Sequence, residues 1–169
     1  IECQKHGIPC VAYEINPVLR EVGCLSLKWK KPATQLFQGF TEQLAQNIQK
    51  MKPLMFEAVL EATGSAIPNI HDVFRWWKKS VLRDLIIARQ LMRQSEYASI
   101  RDYLWLAINT AALDCANIHR NHPTITFHDD HKRDIDVLGT LRTELSEIEA
   151  DLKSLTSDQL QFSELGRVE

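Results

Sequence analysis

Glu14 is the first residue whose type and position could do chemistry. It closes the strand-like run "PCVAY" and stands just before Ile15 and the pair Asn16-Pro17, which opens a helix. In doubly wound α/β folds, ligands bind outside the carboxyl ends of the parallel strands. An acidic residue at the end of the second strand there bonds ribose hydroxyls. The reason is geometric: a vicinal diol offers two donors, and a carboxylate has two acceptor oxygens for them. A carboxylate that merely ends a strand fits the same spacing.

The second candidate is the segment "HDVFRWWKKSVLRDLIIARQLMR". It carries Arg75, Lys78, Lys79, Arg83, Arg89 and Arg93 against Asp72 and Asp84. A helix of net positive charge with exposed aromatics can lie along a phosphate backbone. The alternative is the solvated face of a core helix with Trp77 inside. Trp76 and Trp77 are adjacent and cannot share one helix face, so Trp76 is the candidate for an interface. A third cluster, His119, His122, His128 and His131 with Asp129 and Asp130, offers metal-ligand chemistry. Its spacing matches no metal motif, and solvated loop histidines and helix caps explain it as well. Arg120 and Asn121 beside it are further candidates for nucleic-acid contact. No Ser-His-Asp or Cys-His arrangement is present. Cys3, Cys10, Cys24 and Cys115 form no CxxC pair and read as free buried thiols of a reducing cytosol.

The elements that must position these residues follow from periodicity. Residues 1–7 read as the end of a helix stopped at Gly7. Residues 9–15 read as a short, buried, central parallel strand. Asn16 caps a helix with Pro17 in its first turn, running to about Trp29. Beyond Pro32 the pattern is mostly helical. Leu36, Phe40, Leu44 and Ile48 share one face over residues 34–51. A single helix capped by Asn69 or Asp72 is expected to run to about Arg93, with Phe74, Trp77, Val81, Leu85 and Ala88 inward. Ser99 and Asp102 resemble a capping box for the helix carrying Leu104, Ile108, Ala111 and Cys115. A short strand is expected over 124–127. Leu138, Leu141, Leu145, Ile148, Leu152 and Leu155 make the best apolar stripe. At 169 residues, 44% hydrophobic and 25% charged, the chain can bury a real core. Its net charge of -2 implies no partner. No apolar run approaches the roughly 18 residues of a membrane-spanning helix.

The stretch "IECQKHGIPCVAYEINP" resembles the region after the glycine motif in bacterial DNA amino-methyltransferases. These are the adenine-N6 and cytosine-N4 enzymes of restriction–modification and related systems, dependent on S-adenosylmethionine. In that family an FxGxG-type loop is followed by a helix often containing EA or EC, then by a strand ending G(V/Y)(D/E)(I/L)NP. The resemblance implies that Glu14 bonds the ribose of S-adenosylmethionine, that Ile15 packs against the adenine, and that Asn16 and Pro17 shape the turn beneath. It extends more loosely to "FRWW", to "LWLAINTAALDCANIHR" and to the helix from Asp136 to Leu152. The implied fold is mainly α: a helical segment attached to a truncated helix–strand–helix piece of a class I methyltransferase Rossmann-like fold. Residues 1–31 would be the partial cofactor-binding segment, 32–160 a helical insertion, and 161–169 the start of a further strand or a tail. Double-stranded DNA is the implied partner, contacted by Arg75, Lys78, Lys79 and Arg83. Neither FxGxG nor (D/S/N)PPY occurs in the sequence. The first holds the methionine part of the cofactor, and the second holds the target amino group and stacks on a flipped base. The expectation is therefore an internal portion of such an enzyme, with methyl transfer belonging to a longer parent chain. Two rival expectations stand beside it. One is a non-catalytic helical nucleic-acid or protein-binding module. The other is a different nucleotide-binding α/β enzyme whose Glu14 holds another ribose.

Overall fold

The computed structural model describes residues 2–28, 34–119, 124–128, 134–162 and 165–169. The chain is mainly helical, as expected, and divides into two compact units, Ile1–Thr34 with Ser146–Glu169, and Gln35–Leu145.

The first unit opens with α1 (Glu2–Lys5), stopped at Gly7, whose φ of +69° is the left-handed region that glycine adopts without a Cβ clash. A Cβ there would stand 3.0 Å from the Phe162 ring. Next come β1 (Cys10–Ala12) and α2 (Pro17–Ser26). Asn16 caps α2 as its sequence suggests, its Oδ1 accepting from the N–H of Val18 at 3.0 Å and of Leu19 at 3.3 Å. The helix ends at Ser26 rather than near Trp29, and residues 29–33 lie outside the described residues. The unit is completed by the end of α8 (Val137–Ser154), by α9 (Ser157–Gln161) and by β4 (Gly166–Val168). A capping box between Thr156 and Gln159 starts α9.

β1 and β4 pair in parallel, Cys10 opposite Gly166 and Ala12 opposite Val168. The N–H of Cys10 donates to the Leu165 carbonyl at 3.2 Å, and that of Glu169 to Ala12 at 2.9 Å. Beyond the strand, the Glu14 N–H donates to the Glu169 carbonyl at 3.0 Å. Buried Gln4 ties three segments, its Nε2 donating to the carbonyls of Leu27 and Phe162 at 2.9 Å each. One expectation is corrected here. β1 is short and exposed rather than buried and central: Val11 is 45% exposed and Tyr13 79%. Apolar composition makes a strand, but burial needs neighbours on both faces and both edges. Among the described residues β1 has a partner on one edge only.

The second unit holds α3 (Thr34–Met51), α4 (Phe56–Thr63), α5 (Val73–Trp76), α6 (Lys79–Met92), a 3-10 segment (Ser95–Ile100) and α7 (Arg101–Asp114). The hairpin of β2 (Ile118–His119) and β3 (Thr126–Phe127) follows, then the first turns of α8. Its core takes Phe40 and Leu44 from α3, Ile87 and Leu91 from α6, Leu104 from α7 and Leu141 from α8, all buried. Each such side chain contributes about 1.5–3 kcal/mol by leaving water. The buried Tyr97 packs edge-on against Phe40 and satisfies its hydroxyl by donating to Gln43 Oε1 at 2.5 Å.

Two helix expectations are corrected in this unit. The single helix to Arg93 is broken: Trp77 is extended (φ -134°, ψ 141°), and α6 begins only at Lys79. Asp72 does precede α5, but in the left-handed region (φ 48°) and with no side-chain cap bond. Ser99 does not cap α7 either. It lies in the 3-10 segment, and Ile100 occupies the cap position without a side-chain bond. Burial of Tyr97 and Ile100 holds that segment and outweighs the local capping pattern.

Candidate functional site

Glu14 sits past the carboxyl end of β1, half-buried, in the turn that leads into α2. Its backbone continues the parallel ladder, while its Oε1 accepts from the Asn16 N–H at 2.7 Å. The side chain thus bends over its own turn, and its second oxygen has no bond among those described. Ile15 is 99% exposed beside it. Asn16 is occupied as the cap, and Pro17 fills the first helical position, where a missing N–H costs nothing. The four residues therefore form one local turn at the mouth of a β–α junction.

The basic residues are dispersed by the helix break. Arg75 is exposed on α5, its guanidinium 4.2 Å over the Phe127 ring. Lys78 and Ser80 both donate to Asp134, at 2.7 and 3.0 Å. These bonds, Lys78 first, hold the Asp134 carboxyl below the ordinary aspartate range. Lys79 stands 3.9 Å from Glu57 and 5.3 Å from the Phe74 ring. Arg83 pairs with Asp84 at 2.8 Å, their side chains only 15% and 18% exposed. Burial pushes the Asp84 carboxyl up, and the Arg83 hydrogen bond only partly offsets it. Lys78 and Arg83 are thus held by carboxylates within the unit, leaving Arg75 and Lys79 the more exposed of the four.

The aromatic pair also departs from expectation. Trp76 and Trp77 are both half-buried and 5.9 Å apart, and Trp76 packs edge-on against Phe127 at 5.1 Å. The Trp77 indole N–H donates to the Ala112 carbonyl near the end of α7 at 2.8 Å. Asn117 fastens the hairpin, its N–H donating to the Trp76 carbonyl at 2.8 Å. The rings of His119 and His128 lie 3.6 Å apart beside the hairpin. His122, His131, Asp129, Asp130, Arg120 and Asn121 lie outside the described residues. Among the described residues no group of three or more side chains could hold a metal ion. Sequence reasoning missed β2, since two residues cannot show an alternation, and missed a cavity between α6 and α7.

The family models, the curated proteins and the solved structures compared with this chain gave no match. No described helix is long and apolar enough to cross a membrane.

Proposed function

We propose that this chain contributes the ribose-binding edge and a helical domain of an S-adenosylmethionine-dependent DNA amino-methyltransferase. The methyl acceptor is an exocyclic nitrogen of adenine or cytosine in double-stranded DNA. The observation that carries the proposal is the Glu14 turn: a half-buried carboxylate past the carboxyl end of a parallel-paired strand, directly before a capped helix. The residues fit a ribose. Glu14 Oε1 takes one N–H, and the other carboxylate lone pairs can accept from a diol. Exposed Ile15 offers apolar surface to an adenine ring. The parallel pairing of β1 and β4 supports the Rossmann-like portion of the proposal. Phosphate contact falls to Arg75 and Lys79 ahead of Lys78 and Arg83, which are already bonded to carboxylates.

Bound S-adenosylmethionine would supply an electrophilic methyl group. The sequence holds neither FxGxG nor (D/S/N)PPY, so this chain is given the ribose contact and not the transfer step. The test is a titration of the 15N-labelled chain with S-adenosylmethionine. Saturable shifts are expected at the amides of Glu14, Ile15, Asn16 and Leu19. Glu14→Gln should weaken binding about tenfold, since charge-assisted bonds become neutral ones. Amides that stay still at millimolar cofactor would remove the assignment.

A further inference from the structure

We propose that the second unit carries a binding site for a small planar aromatic anion, in the cavity of about 280 Å³ between α6 and α7. The site is independent of the Glu14 turn. Apolar side chains of the two helices form most of the wall, and the indoles of Trp77 and Trp105 supply flat surface. Trp77 is fixed in place before any ligand arrives, because its N–H is bonded to the Ala112 carbonyl at 2.8 Å. A pre-positioned ring loses no rotamer freedom on binding, which favours affinity.

Charge decides the class of ligand. Among the described residues Arg89 is the only ionisable side chain in the wall, and it is also exposed, so it stands at the mouth. Among the described residues it has no ion-pair partner, unlike Arg83 one turn and a half earlier, which is held by Asp84. Asn109, also exposed, has one of its two Nδ2 hydrogens committed to the Trp105 carbonyl at 2.7 Å, and Arg89 is the charged donor of the wall. A ligand matching this pattern puts an aromatic ring among the apolar walls and keeps a carboxylate or similar anion at the guanidinium. The volume lies just below the usual range of ligand pockets, which begins at about 300 Å³, so one or two fused rings fill it.

The probes are 2-naphthoate and its uncharged counterpart 2-naphthalenemethanol, titrated separately into the 15N-labelled chain. The indole N–H resonances of Trp77 and Trp105 should shift saturably with naphthoate, at least about fivefold more tightly than with the alcohol. Arg89→Gln, on an exposed side chain that folding does not need, should erase that preference and leave alcohol binding unchanged. Ala112→Leu should weaken both probes by filling the cavity. Still indole resonances with both probes, equal affinity for the two in the unaltered chain, or naphthoate binding indifferent to Arg89→Gln would overturn the proposal.

Discussion

Asp84 and Asp134 are carboxylates of the same unit in opposite environments. Burial raises the folded value of Asp84 above its ordinary 3.8, whereas the Lys78 and Ser80 hydrogen bonds lower that of Asp134 below the same reference. The signs follow by linkage. The contribution of Asp84 is fully present below the unfolded value and is lost as pH rises through the folded one. That of Asp134 is present above the unfolded value and is lost as pH falls through the folded one. Asp134 is mostly exposed, so its share stays below about 1 kcal/mol. Asp84→Asn keeps an acceptor for Arg83 and removes the desolvated charge. Chemical denaturation from about pH 4 to about pH 7 should show this variant gaining on the unaltered chain as pH rises. A constant difference across that range would mean that the carboxylate is not desolvated. Side-chain identity in the sequence revealed the basic cluster but not which of its members are held by carboxylates. Asp134 lies 56 positions from Lys78, and only the fold brings them together.

At the scale of elements, the helical stripes were legible because a 3.6-residue period needs no knowledge of the partner. Phe40 and Leu44, Leu104 and Ala111, and Leu141 and Leu145 are all buried as their spacing requires. The break at Trp77 was not legible. Apolar spacing runs straight through it, no glycine or proline marks it, and the bond that holds Trp77 reaches 35 residues along the chain. Likewise the Glu14 turn was legible in its cap and its proline, whereas the exposure of β1 was not. Gln4 gave no signal at all, although it joins α1 to the ends of α2 and α9. Gln4→Met keeps the side-chain length and strips both hydrogen bonds, leaving the Leu27 and Phe162 carbonyls without this donor. The expected loss is about 1–3 kcal/mol in the first unit, read as an earlier denaturation midpoint. An unchanged midpoint would show that the amide merely fills space.

For the whole molecule, composition and periodicity sufficed for a mainly helical chain. They did not suffice for the cavity, which is made by side chains from two helices and a loop rather than by any one pattern. The two units should differ in local stability. The second has a core drawn from α3, α4, α6, α7 and the start of α8, whereas the first leans, among the described residues, on a two-stranded sheet, a size that is marginal in water. Hydrogen exchange should therefore find the slowest amides around Leu44, Leu91 and Leu104, and much faster exchange at Ala12 and Val168. Equal protection in both units would contradict this ranking. The side of β1 that has no partner among the described residues has a consequence for how the molecule behaves in company. A row of open amides flanked by Val11 and Tyr13 is a template for any extended peptide it meets, other copies of the chain included. Among the described strands, self-association at high concentration should begin there, and a lysine at either position would blunt it.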